Sequence, residues 1–282
     1  MFRDHPVTFR PLETRQECLA CVSLQREIWG QDFVGIVPAT ILMVSQRVGG
    51  VVSGAFDTKN HLIGFVFGIS GMADDMLTHW SHMLAVRPEV RRFGLGRRLK
   101  LYQRTQLLER GIRVASWSYD PLMATNARFN LNTLGAYPTT YIDDMYGDIG
   151  STLNSGLDTD RLIVKWHLDN PDVERRIASK SPITSPSPAP EAPIMLPPDS
   201  TDRNVTNRSI PNDDLVWIAV PSDIVSLKAT DLEEARQWQR SVREAFHECM
   251  NTGYRVVDFC SGRKGEPSAY ALTTEPLPTP DN

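Results

Sequence analysis

Arginine and glycine crowd together near the middle of this chain, in the run Arg91-Arg92-Phe93-Gly94-Leu95-Gly96-Arg97-Arg98. Fixed positive charge beside residues that lack a Cβ suits an anion. Glycine lets the backbone approach a ligand closely, and a guanidinium pairs with phosphate oxygens in a two-pronged geometry. If a helix opens at Leu95, its first N–H groups have no partner within the helix and lie at the positive end of its dipole. Those ingredients together cradle a phosphate group. A tight turn with a solvated basic rim would use the same residues, so the flanking elements must decide.

Residues 82–86 are short and half apolar, and they run into Arg87-Pro88. A residue before proline is pushed toward extended backbone, which predicts a strand. Beyond Gly94, Leu95, Leu99 and Tyr102 recur at i, i+4 and i+7, the spacing of a helix face that Gln106 interrupts. Gly111 stands where a left-handed cap would end that helix. The strand, turn and helix do not form a nucleotide-triphosphate loop, which needs a Gly-Lys-Ser/Thr ending. They do not form a dinucleotide fingerprint either, because Leu99 stands where a third glycine belongs.

Arg91-Arg92-Phe93-Gly94-Leu95-Gly96 resembles the R/Q-x-x-G-x-G/A signature of the GNAT superfamily of acyl-CoA N-acyltransferases, after a strand and at the opening of a helix. The resemblance extends over residues 7–168 through the order of elements. A strand is expected at 7–12, helices at 14–29 and 39–48, and alternating strands at 51–57 and 61–69 joined by Thr58-Lys59-Asn60. A loop at 70–78 precedes the central strand and its helix. A parallel strand at 112–119, a helix at 125–134 closed by Gly135, and strands at 137–146 and 161–168 complete the order. The fold class implied is α/β, a mixed sheet whose two central parallel strands splay apart.

The resemblance also implies a site. Backbone groups of Leu84, Ala85 and Val86 would pair with the pantetheine amides of acetyl-CoA, or of another acyl-CoA such as succinyl-CoA. The diphosphate would fall at Arg91, Arg92, Phe93, Gly94, Leu95, Gly96 and Arg97. Asn126, Phe129 and Asn130 on the following helix would touch the same cofactor, and Arg128 is a spare cation for a succinyl carboxylate. Trp29, Phe33 and Ile36 would wall the acceptor side, although core packing accounts for them equally well.

Attack of an amine on a thioester needs a neutral amine, a place for the oxyanion and a proton for the leaving thiolate. The backbone N–H near Ala85 or Val86 is the implied oxyanion donor. The central strand offers His82 as a base and no carboxylate. The family's usual acid, a tyrosine, is replaced by Leu131, leaving Tyr141, Tyr146 and Tyr119 as substitutes that packing also explains. The expected function is transfer of an acyl group to a primary amine of a small molecule or amino acid. An N-succinyltransferase and a non-catalytic acyl-CoA-binding module are the alternatives. Asp143-Asp144 could instead draw a basic peptide, or be a solvated loop.

Composition frames this reading. The chain has 282 residues, 41% hydrophobic and 23% charged, enough for a packed core. Its net charge of −4 argues against a nucleic-acid binder with a wholly basic surface. No run has the length of a membrane span and the first residues lack a signal peptide's apolar core, so a cytoplasmic protein is expected. Cys18 and Cys21 form a C-x-x-C without a second pair, read as packed thiols, and no metal site is expected. The expected domains are an acyltransferase at 1–170, a Pro/Ser-rich linker at 171–213, a β-α-β-β extension at 214–275 docked on the core, and a tail at 276–282. Within the extension, Thr230 and Glu233 have the spacing of a capping box. Exposed strand edges leave a homodimer open.

Overall fold

The computed structural model describes residues 6–73, 75–91, 93–148, 150, 156–179, 182–183, 194–195, 214–263 and 266–275. In chain order they form β1 (Thr8–Pro11), α1 (Arg15–Trp29), α2 (Ala39–Arg47), β2 (Val51–Phe56), β3 (Leu62–Ala73), β4 (Met76–Val86), α3 (Leu95–Glu109) and β5 (Val114–Tyr119). Then come α4 (Ala124–Arg128), a π-helix (Phe129–Leu134), β6 (Tyr137–Ile142), β7 (Arg161–His167), α5 (Pro171–Ala178) and β8 (Ile194–Met195). The chain continues with β9 (Leu215–Val220), α6 (Ile224–Thr230), α7 (Leu232–Asn251), β10 (Arg255–Cys260) and β11 (Ser268–Thr273). Seven strands make one mixed sheet in the order β1-β2-β3-β4-β5-β7-β6, and four make a second in the order β10-β11-β9-β8. This is the α/β class, and through β7 the element order, that the sequence implied; α5, β8 and α6 are additions.

Two compact units divide the chain, the first holding residues up to 117 together with 167–169, the second holding the other described residues but for residue 150. The division does not coincide with the boundary expected at residue 170. In the first unit α1 and α2 bury one apolar face against the sheet. Leu24, Leu42, Phe65, Phe67, Met83 and Ala85 belong to that core, and so do Cys18, Cys21 and Phe33. Both thiols are free and buried, and burial pushes the Cys21 thiol up to about 12, which leaves it inert. Gln25 is enclosed in the same layer. Its amide donates to the Val37 carbonyl at 3.2 Å and accepts from the Val37 N–H at 2.7 Å, which fixes the loop between the helices.

Helix α1 starts at a reciprocal cap. The Thr14 hydroxyl accepts from the Glu17 N–H at 3.2 Å, and Glu17 accepts from the Thr14 N–H at 3.3 Å. Thr14→Ala removes the first bond and is expected to cost about 1 kcal/mol of stability, read as a lower urea midpoint at unchanged slope.

Several elements differ from expectation. The loop expected at 70–78 is mostly ladder: Ile69↔Trp80, Ser70↔His79, Gly71↔Thr78 and Met72↔Leu77 are paired, and Asp75 turns the hairpin at φ 58°. Ser70 and Gly71 hide that strand in the sequence, because their alternation with apolar residues is weak. The helix expected at 125–134 is a short α-turn followed by the π-helix, closed by Gly135 at φ 69°. Thr230 ends α6 rather than capping α7. Its hydroxyl donates back to Ser226 and Leu227 carbonyls, and Asp231 caps α7 by accepting from the Glu234 N–H at 2.9 Å. The start of the expected linker is helix α5, set by Asn170 as cap and Pro171 in the first turn. Most of 179–213 lies outside the described residues.

The second unit has its own internal ties. Tyr270 donates to the Pro121 carbonyl at 2.8 Å, and Asn132 donates to Asp258 at 2.5 Å. Asp160, almost fully buried, accepts from the Tyr141 hydroxyl at 2.7 Å and from both prongs of Arg243 on α7 at 2.7 and 2.9 Å. Among the described residues no helix is long and apolar enough to cross a membrane.

Candidate functional site

Strands β4 and β5 are parallel neighbours for only three residue pairs, Thr78↔Val114, His79↔Ala115 and Trp80↔Ser116. Beyond them β4 runs on to Val86 while paired to β3 on its other edge, with Phe65↔Ala85, Val66↔Leu84 and Gly64↔Val86 in register. A shift in the β3–β4 register between Trp80 and Met83 places a bulge at the point where the strands part. Bulges re-aim side chains and end pairing. The edge of β4 at Leu84, Ala85 and Val86 therefore presents backbone groups to an extended ligand, as a sheet edge does in strand addition.

That edge leads into the basic turn. A 3-10 turn at Pro88–Val90 precedes Arg91, and Gly94 caps α3 in the left-handed region at φ 71°. A Cβ at Gly94 would meet nothing within 4 Å, so glycine is required there for conformation and not for room. A Cβ on Gly96 would touch only Leu84 Cδ2, at 3.8 Å, and a longer side chain would fill the space in front of the helix. Gly94 brings no side chain to the helix start and the first turn has no acidic residue, so nothing there neutralises its positive end.

Arg91 is exposed, and its Nε donates to the Val86 carbonyl at 3.3 Å, which puts its charge at the end of the open β4 edge. Arg97 is half-buried on the first turn. Arg98 lies over the Phe9 ring at 4.5 Å, away from the turn's mouth. Phe93 and Leu95 flank the cap, Leu95 buried. Arg92 lies outside the described residues. An open strand edge, a glycine cradle and guanidinium charge fit a diphosphate carried on an extended amide-bearing arm.

The candidate catalytic residues fare differently. His82 is next to the bulge, its ring edge-on to Phe67 at 5.9 Å. Its residue surface is exposed, but protein crowds the ring and lowers its pKa, so it is neutral at pH 7 and able to accept a proton. Tyr141 cannot supply the leaving-group proton expected of it. Its hydroxyl is committed to Asp160, and burial together with that carboxylate raises its pKa, the opposite of what an acid needs. Tyr146 shares a hydrogen bond with Ser118 Oγ at 2.9 Å and has Arg161 over its ring at 5.4 Å. Burial pushes the Tyr119 hydroxyl upward as well. In the second unit Asn126 is exposed on α4, while Phe129 is half-buried and Asn130 buried in the π-helix, a distortion frequent at functional sites. Leu131 is fully buried beside them.

Behind the parting strands the first unit holds a polar cluster that the sequence reading missed. Lys100 and Gln103 of α3 are buried, as are His79 and Ser81 of β4. Lys100 Nζ donates to Ser81 Oγ at 2.7 Å and to Gln103 Oε1 at 3.2 Å, and stands 3.6 Å from the centre of the Trp117 ring. Ser81 donates to Gln103 Oε1 at 3.0 Å. Gln103 Nε2, which can only donate, faces His79 Nε2 at 3.0 Å, so that nitrogen accepts and Nδ1 carries the proton. Nδ1 in turn donates to Ser70 Oγ at 3.0 Å, and Ser70 donates to the Gly49 carbonyl at 2.8 Å. Gly68 leaves the room this needs, since a Cβ there would run into the His79 ring. Burial first, then the charges of Lys100 and Arg110, lower His79 to about 3. One signal was available: Gly96, Lys100, Gln103 and Leu107 fall at i, i+4, i+7 and i+11, a single helix face.

No family model matches the chain, and no curated protein does. Solved structures similar to it include the ribosomal-protein-S18-alanine N-acetyltransferase of Escherichia coli, at 17% identity and TM-score 0.45 over 58% of this chain and 94% of that one. A putative acetyltransferase of Acinetobacter baylyi is similar at 15% identity and TM-score 0.46, over 61% of this chain and 97% of the other. A putative acetyltransferase of Salmonella typhimurium, solved with acetyl-CoA, is similar at 16% identity and TM-score 0.45, over 58% and 95%. At this level none of them fixes a substrate or a residue's role in this chain.

Proposed function

We propose that this chain is an acyl-CoA-dependent N-acyltransferase of the GNAT type, moving an acetyl group from the thioester to a primary amine of a small molecule or amino acid. The observation that supports it best is the continuity of the open β4 edge with the glycine turn at the start of α3. The donor supplies an activated carbonyl. Leu84, Ala85 and Val86 would hold its arm by backbone hydrogen bonds, and the first-turn amides of α3 with Arg91, Arg92 and Arg97 would hold its diphosphate. A backbone N–H of that strand would receive the oxyanion. His82, neutral at the strand opening, would take the proton that the amine nitrogen sheds as it forms the new C–N bond.

Orientation of the amine against a fixed thioester supplies much of the rate, so a single proton donor is not decisive. The commitment of Tyr141 to Asp160 and the leucine at 131 favour the binding-module alternative as a second reading. Thiol release with acetyl-CoA and succinyl-CoA against a panel of primary amines separates the two. Amine-dependent thiol release is expected, and binding without turnover on any amine would leave the module.

A further inference from the structure

Lys100 occupies an unusual place. Its Nζ touches Ser81 and Trp117, the first residues of β4 and β5 past their last pair, so it stands where the strands part. It is a buried amine facing neutral partners, and desolvation alone lowers its pKa. Nζ donates to Ser81 Oγ and Gln103 Oε1, and the centre of the Trp117 ring lies 3.6 Å from it. From Val86 to Ser81, β4 advances five residues, about 16 Å at roughly 3.3 Å per residue. That is comparable with an extended pantetheine arm laid along the strand from the diphosphate turn.

We propose that Lys100 is the acid that protonates the departing thiolate, a role for which Leu131 has no proton and Tyr141 is committed to Asp160. The inference rests on the acyltransferase reading. As the amine nitrogen forms the new C–N bond, the C–S bond breaks and its electron pair goes to sulfur. Nζ–H of Lys100 delivers a proton to that sulfur, the amine nitrogen loses one to water through His82, and Lys100 regains its own from water. An ordinary lysine, near 10.4, is a poor match for a thiol near 8.5, whereas a desolvated one matches better. Gln103 and Ser81 act as positioning residues by holding Nζ toward Trp117. The ionisable group in its network is His79 on β4, which reaches Lys100 through Gln103, while β5 presents Trp117.

The test uses the full chain and Lys100→Met, which keeps the stem against Trp117 and leaves Ser81 and Gln103 bonded to each other. Two readouts are needed. First, kcat with acetyl-CoA and the best amine is expected to fall by about 10²-fold or more, with CoA affinity within about threefold. Lys100→Arg is not expected to restore it, since a guanidinium holds its proton too tightly. Second, the thiol of bound CoA, followed by thiolate ultraviolet absorbance, should ionise at lower pH in the wild type than in Lys100→Met. Equal thiol ionisation in both, or a kcat within twofold of wild type, would overturn the assignment while leaving the acyltransferase reading intact. A wild-type chain that takes up no CoA thioester would sink both.

Discussion

Replacing Arg243 by methionine is expected to cost about 3 kcal/mol of folding stability, near the lower end of the range for breaking a buried ion pair. Asp160 is 1% exposed and receives two guanidinium bonds from Arg243, the Tyr141 hydroxyl and the Asp144 N–H. Without the arginine its carboxylate stays buried with its charge uncompensated. The Nη2 that bonds Asp160 also reaches Asp158 at 2.7 Å, a more exposed partner that adds little. Urea unfolding of R243M and of R243M with Asp160→Asn should separate the effects, the second change recovering much of the loss. If R243M unfolds within 0.5 kcal/mol of wild type, roughly the spread of neutral surface changes, helix α7 does not hold Asp160 in the way described.

The second large effect is acid sensitivity. His79 is neutral and enclosed when folded, at about 3, and would titrate near 6.5 when unfolded. A base whose folded pKa is depressed makes the unfolded chain bind more protons as pH falls. Stability from this group is therefore fully present above about pH 6.5 and drains by roughly 1.4 kcal/mol per pH unit down to the folded value. Carboxylates contribute over the lower part of that window, so the comparison must be made against His79→Gln. The variant is expected to start less stable at pH 7 and to lose less between pH 6.5 and 4.5. Parallel stability curves for the two proteins over that interval would show that His79 does not titrate as its surroundings require.

The parts of this molecule legible in its sequence are those set by neighbours in the chain. The glycine turn, the strand before Pro88, the helix ended near Gly111 and the alternation of β2 and β3 all follow from spacing within about ten residues. Lys100 and Gln103 went unread because a polar side chain on a helix is ordinarily assigned to solvent. Ser81, 19 residues before it, and Trp117, 17 residues after it, are what enclose Lys100 together with Gln103. Tyr141 was a fair candidate for an acid until its partner was known. Asp160 is 19 residues away and Arg243 is 83 beyond that, and no local pattern records such a meeting. Helix α6 was missed because seven residues are too few to show a period, although its cap at Asp223 is local.

The central claim is that backbone amides and arginines at the start of α3 grip the diphosphate of coenzyme A. Calorimetric titration of the purified chain with CoA, repeated on Arg91→Glu, tests it most directly. Saturable uptake is expected for the wild type, with a Kd raised about tenfold or more by the reversal, equivalent to about 1.4 kcal/mol. No heat of binding for CoA or its thioesters, or an Arg91→Glu variant that binds as tightly as wild type, would contradict it.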